Sequence, residues 1–201
     1  MISIESISLG YGARTVVQDF SAHINQGSIT AITGSNGVGK STILAAIAGE
    51  LKARSGQIII NDREISEYSV KELAALRSVA QQNHDYWMAY TAEAILLLGN
   101  EDVPNARVGY LADRLGLGAF LQQRITELSG GQLQRIEIAR AFMRELPIIL
   151  LDEPLASQDI TSQESLIRFF AEEKKLGRTI VLVAHRDRNS LTWCDQIIDL
   201  N

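Results

Sequence analysis

The stretch Gly34-Ser35-Asn36-Gly37-Val38-Gly39-Lys40-Ser41 constrains this chain more than any other. It reads G-x-x-x-x-G-K-S, and its flanks are those such a stretch needs. Before it, Ile29-Thr30-Ala31-Ile32 is short, apolar and β-branched, the pattern of a buried strand. After it, Thr42 to Gly49 is rich in Ala, Leu and Ile, which predicts a helix stopped by Gly49. Strand, glycine loop and helix in that order form a cradle for phosphate. Glycines let the backbone approach an anion with its N–H groups turned inward, and the helix adds its positive N-terminal end. Lys40 brings a full positive charge to the β- and γ-phosphates, and the Ser41 hydroxyl can ligate Mg²⁺. Plain glycine turns between a strand and a helix are common; the G-K-S ending in this context is not.

Composition narrows the rest. A chain of 201 residues suits one large domain, or one domain with a subdomain, and 46% hydrophobic residues can bury a core. Lys and Arg total 19 against 24 Asp and Glu, a net charge of −5, which argues against a broad nucleic-acid-binding face. The one cysteine, Cys194, can form no internal disulfide and suits a reducing compartment. The N-terminus lacks the basic-then-apolar pattern of a signal peptide, and no apolar run approaches the ~18 residues of a membrane span. The chain is expected to be soluble, or to reach a membrane only through a partner. No internal repeat, low-complexity segment or long linker is visible.

Other segments supply further chemistry. Ile2, Ile4, Ile7 and Leu9 alternate loosely as an opening strand, and Thr15 to Ile24 predicts a second. Between them Tyr11, flanked by Gly10 and Gly12, is expected on a turn where its ring could stack on a base; taken alone it reads as a surface tyrosine. Gln57 to Ile60 and Arg77 to Ala80 are strand candidates, and Val70 to Leu76 a short helix. A mostly helical block follows, with helices over Ala92 to Leu98 and Ala106 to Leu115 and a short turn near Ala119 to Gln123. Ser129 is a good N-cap for a helix over Gln132 to Arg144, and Gly130-Gly131 beside it makes a second anion-binding helix end.

Ile148-Ile149-Leu150-Leu151 then reads as an inner strand of a parallel sheet, ending in Asp152 and Glu153. Ligands bind at the carboxyl ends of such strands. Two acids there repel each other and invite a metal; on a strand their side chains diverge and can serve different partners. Asp152 fits a Mg²⁺ ligand and Glu153 a general base that deprotonates water. Gln163 to Leu176 predicts an amphipathic helix, and Thr179 to Ala184 another buried strand with His185 at its carboxyl end. A lone histidine is usually structural, but there it can hydrogen-bond a γ-phosphate or the attacking water. Gln196 to Leu200 is a last short strand.

Together these residues resemble the nucleotide-binding subunit of an ATP-binding cassette (ABC) transporter, over the whole chain. GSNGVGKS matches the Walker A motif, LSGGQ at Leu128 to Gln132 the family signature, and IILLDEP at Ile148 to Pro154 the Walker B motif with its catalytic Glu. Gln81 falls where the Q-loop glutamine belongs, with Gln82 leaving that register open by one. His185 matches the switch histidine and Tyr11 the adenine-stacking aromatic. One departure is visible: where the family usually reads Ser-Ala-Leu-Asp, this chain has Ala156-Ser157-Gln158-Asp159, a more polar dimer-contact loop.

The resemblance implies a single ABC ATPase domain over 1–201: an α/β P-loop NTPase core, a small antiparallel β subdomain, and a helical subdomain (about 83–145) carrying LSGGQ. It implies Mg²⁺ held by Ser41, Gln81 and Asp152, and chemistry by Glu153, His185 and Gln81. ATP would be bound by Tyr11, by Ser35, Asn36, Gly37, Val38, Gly39, Lys40, Ser41 and Thr42, and by Ser129, Gly130, Gly131 and Gln132. In the family, ATP lies between the phosphate loop of one subunit and the signature of another, and water attacks in line. Expected partners are a second ATPase subunit, most simply another copy, transmembrane permease subunits and, in an importer, a substrate-binding protein, but no nucleic acid. The expected place is the cytoplasmic face of the membrane, without an appended regulatory domain.

Thr91 to Gly99 resembles a segment of ATPases from iron-chelate, haem, metal and cobalamin importers, which makes such an importer the expected role. The alternatives are an exporter or a non-transport membrane complex that signals mechanically; ribosome- or DNA-acting members typically carry two cassettes or a long coiled coil. Tyr86, Trp87, Met88 and Tyr90 form an aperiodic apolar cluster after Gln81, expected to line the cleft that receives the permease.

Overall fold

The protein is seen as a computed structural model that describes residues 1–81, 90–185 and 188–200. Its strands are β1 (Ile2–Tyr11), β2 (Arg14–Ile24), β3 (Ile29–Thr33), β4 (Ser55–Ile60), β5 (Arg63–Glu64), β6 (Arg77–Ala80), β7 (Ile148–Asp152), β8 (Thr179–Val183) and β9 (Gln196–Asp199). Its helices are α1 (Lys40–Ile47), α2 (Val70–Leu76), α3 (Ala92–Leu97), α4 (Asn105–Leu115), α5 (Gly130–Ala141) and α6 (Ile160–Lys175). Two sheets result: an antiparallel one in the order β2-β1-β4-β5, and a five-stranded parallel one in the order β6-β7-β8-β3-β9.

The parallel sheet explains why its strands are apolar without alternation. Successive side chains leave a strand on opposite faces, and here both faces are covered. Ile29, Ala31, Ile149, Leu151, Ile180 and Leu182 join a core with α3 to α6. Their neighbours Ile32, Ile148, Leu150, Val181 and Val183 join a second core with Ile43, Leu44 and Ile47 of α1 and with Ile2, Ile4, Ile58 and Ile60 of the antiparallel sheet. Each such Ile, Leu or Val side chain contributes roughly 1.5–3 kcal/mol relative to exposure. On the helical face, Phe142 meets Phe169 edge-on at 4.8 Å, and Phe170 stacks against Trp193. The sandwich holds the carboxyl ends of β3, β7 and β8 side by side, which is where the motif residues leave the sheet.

The antiparallel sheet turns on a close approach. Ser6 takes φ 45°, and β1 shifts register against β4 between Glu5 and Ser8. Gly56 of β4 faces this irregularity at φ +74°; a Cβ there would lie 2.3 Å from the Glu5 carbonyl oxygen and 2.4 Å from that of Ser6. Gly56→Ala is therefore expected to destabilise by more than about 1 kcal/mol, because both backbone angle and space exclude the methyl. A thermal melt checks this, and an unchanged midpoint would show that β1 yields freely.

Candidate active site

The phosphate loop runs from β3 into α1. Gly39 precedes the helix at φ 110°, ψ 15°, a conformation closed to most side chains. A Cβ on it would stand 2.4 Å from Val17 Cγ2, so glycine also lets the loop close onto β2. Lys40, the first residue of α1, is 4% exposed, and its ammonium donates to the carbonyls of Gly34 at 2.9 Å and Ser35 at 2.8 Å. Burial lowers its pKa from the ordinary lysine value, while Glu153 and Asp152 act in the opposite sense.

The loop meets β7 where Ser41 Oγ donates to Asp152 Oδ1 at 3.1 Å. Burial raises the Asp152 pKa, the Ser41 hydrogen bond opposes that, and the neighbouring Glu153 carboxylate adds to it. Ser41, Asp152 and Gln81 line one pocket of ≈ 320 Å³, together with Glu50. Gln81 turns its amide Nε2 to Glu50 Oε2 at 3.1 Å, which leaves the amide oxygen as its remaining acceptor. Hydroxyl, carboxylate and amide oxygens at one pocket are the donor set of a hard divalent cation, so these residues fit Mg²⁺.

Glu153 departs from the strand geometry expected for it. It takes φ 52°, a left-handed conformation that non-glycine residues seldom hold. Its N–H still reaches Val183 O at 3.2 Å, but the side chain swings off the β7 alternation. Its carboxylate contacts His185 Nε2, with 12% of the Glu153 side chain and 37% of the His185 side chain exposed. Both residues line a second pocket of ≈ 270 Å³ with Pro154, Leu155 and Ala156. Two residues assigned separately from sequence thus form one unit.

Tyr11 is 56% exposed and ends β1 opposite Arg14, one residue before the turn on which it was expected. Arg54 braces that hairpin, donating to Thr15 Oγ1 and to the carbonyls of Gly12 and Arg14. The signature forms a complete capping box: Gln132 N donates to Ser129 Oγ at 3.3 Å, and Ser129 N to Gln132 Oε1 at 2.9 Å. The helix accordingly starts at Gly130, two residues earlier than expected. Ser129, Gly130, Gly131 and Gln132 line neither pocket of their own chain. Tyr86, Trp87, Met88 and Gln82 lie outside the described residues, and Tyr90 is 41% exposed.

The family model for the ABC transporter matches residues 17–156, well over half of the chain. The chain belongs to the ABC transporter family. As an ABC cassette it is an ATPase subunit of a membrane transporter. It is 34% identical to a hemin import ATP-binding protein, HmuV, of Rhodopseudomonas palustris (strain HaA2), over 98% of this chain and 80% of that protein. It is 31% identical to a manganese transport system ATP-binding protein, MntB, of Listeria monocytogenes, over 100% of this chain and 86% of that protein. The solved dimeric structure of MJ0796, a bacterial ABC transporter cassette, superimposes with a TM-score of 0.84 at 25% identity, covering 100% of this chain and 95% of that one.

Sequence reasoning missed Glu50, Arg54 and Gln134, each of which holds a motif residue or its loop. Glu50 and Arg54 follow Gly49 in a stretch that carries no motif of its own. Gln134, whose amide donates to the Glu153 carbonyl at 2.6 Å, stood in the helix without a signal of its own.

Proposed function

We propose that this ABC cassette powers an importer of haem, a metal ion or a metal chelate, paired with a second cassette at the cytoplasmic face of a permease. The observation that carries the mechanism is the Ser41–Asp152 bond, which joins the phosphate loop to the β7 end that bears Glu153. The names of the relatives, import and transport ATP-binding proteins for hemin, zinc, manganese and iron(3+)-hydroxamate, favour the substrate class.

Lys40 meets the β- and γ-phosphates, and Tyr11 offers its exposed ring to the adenine. Ser41, Asp152 and the Gln81 amide oxygen would hold Mg²⁺, which when bound neutralises charge on the triphosphate. Glu153 accepts the proton of the attacking water, and His185 holds that carboxylate in place. Residues 129–132 serve the nucleotide of the partner cassette, in keeping with their absence from the two pockets lined by Asp152 and by Glu153. The helices α3 to α5 form the helical subdomain, and the permease docks beside Gln81.

Copurification tests the transport role. The tagged chain, drawn from detergent-solubilised membranes of cells that make it naturally, is expected to bring down a multi-span permease. Vesicles holding that complex should take up haem or a metal chelate only with ATP. Recovery of ribosomes, or of a small-span partner without transport, would overturn the proposal.

A further inference from the structure

The loop after β7 carries an amide network that the nucleotide motifs do not account for. Gln158 is 8% exposed. Its Nε2 donates to the Gly131 carbonyl at 2.8 Å and to Gln134 Oε1 at 3.0 Å. Gln134 Oε1 also accepts from Ser157 N at 3.3 Å, while its own Nε2 donates to the Glu153 carbonyl. From α6, Gln163 Nε2 donates to the carbonyls of Leu155 and Gln158 at 3.2 and 2.9 Å. Gly131 leaves the network no slack, since a Cβ on it would lie 2.6 Å from Ser157 O.

The network joins two places whose relation matters. One end is the main chain of the signature loop, at Gly131. The other is the main chain of Glu153, held in a left-handed conformation that surrounding contacts must maintain. An amide is needed at 158 for this connection, because one NH₂ group serves both Gly131 and Gln134. The leucine usual in the family at this place would fill the volume and donate nothing.

We propose that Gln158 is a positioning residue for ATP hydrolysis, acting through Gln134 to tie the signature loop of the chain to the backbone of its own Glu153. A signature loop drawn onto the partner's nucleotide then sets the general base of its own site. The inference rests on the reading of Glu153 as base and of residues 129–132 as the contact to a partner's ATP.

The test is steady-state ATP hydrolysis and thermal melting of the whole chain carrying Gln158→Leu, Gln134→Leu or both. With the base displaced but the phosphate loop untouched, Gln158→Leu should lower kcat about tenfold, since a misplacement of ~1 Å can reduce rate up to about a hundredfold. KM for ATP should stay within about twofold, because Gln158 bonds none of the phosphate-loop residues and the signature keeps its own Ser129–Gln132 capping box. The double variant should be no slower than Gln134→Leu alone, because residues acting in one network do not add. Gln158→Leu at full rate overturns the proposal. So does a kcat loss that comes with raised KM or a matching fall in melting temperature, or a double variant in which the two losses multiply. Lys40→Ala and Glu153→Gln controls separate the readings: if they hydrolyse ATP like the parent, the site assignment fails and takes the proposal with it.

Discussion

Lys40→Ala is expected to abolish ATP hydrolysis, with a fall of at least about 10²–10³, the range for removing one preorganised electrostatic partner of a reacting group. Lys40 is 4% exposed and its ammonium is held by the Gly34 and Ser35 carbonyls, so it already lies at the mouth of the loop whose phosphates it is to meet. Burial lowers its pKa while Glu153 and Asp152 act in the opposite sense, and a charge held close to its partner in a partly buried site is worth more than in bulk solvent. Alanine removes the charge and the ammonium's bonds to the two carbonyls, although the Ser35 carbonyl keeps the Val38 N–H at 3.4 Å, so a modest drop in melting temperature accompanies the lost activity. Phosphate release at saturating Mg-ATP, with a melt of the same sample, checks the outcome. Undiminished hydrolysis by a folded variant would remove the phosphate loop from the site.

The sheet strands were legible because burial on both faces forces a continuous apolar run: Ile148 to Leu151 and Thr179 to Val183 could hardly be anything else. Helix ends were harder. α6 begins at Ile160 rather than Gln163 because Asp159 caps it, accepting from Ser162 N at 2.8 Å, and the polar Thr161-Ser162 hid that turn in the sequence. Gly130 and Gly131 read as loop, yet the Ser129–Gln132 box carries them into α5. The two residues of β5 are too short to show any period.

The site was legible where motif spacing is local, and not where a residue acts across the chain. Gln81 and Glu50 are separated by 31 positions, and Gln134 and Glu153 by 19, so neither pairing leaves a trace in a local window. The alternation of a strand placed Asp152 and Glu153 on opposite faces. The left-handed turn at Glu153 ends that alternation, and this is what lets the carboxylate reach His185.

Glu153→Gln is expected to keep ATP binding and to stop turnover. The backbone of the site does not depend on the carboxylate: the bond from Gln134 goes to the main-chain carbonyl of residue 153, and that from residue 153 to Val183 starts at its main-chain N–H. Glutamine has the same volume, accepts the same left-handed angle with the same difficulty, and can still hydrogen-bond His185. What it cannot do is take a proton from water, and a general base contributes about 10²–10⁴ in rate. ATP that binds without being consumed should then accumulate between two subunits, because residues 129–132 lie outside the two pockets lined by Asp152 and by Glu153, and the site needs a partner's signature to close it. Sizing chromatography of this variant should give a monomer without nucleotide and a dimer with Mg-ATP, the dimer being lost when Lys40→Ala is added. A monomer at all ATP concentrations would count against the shared site, and turnover near the parent rate would move the general base away from Glu153.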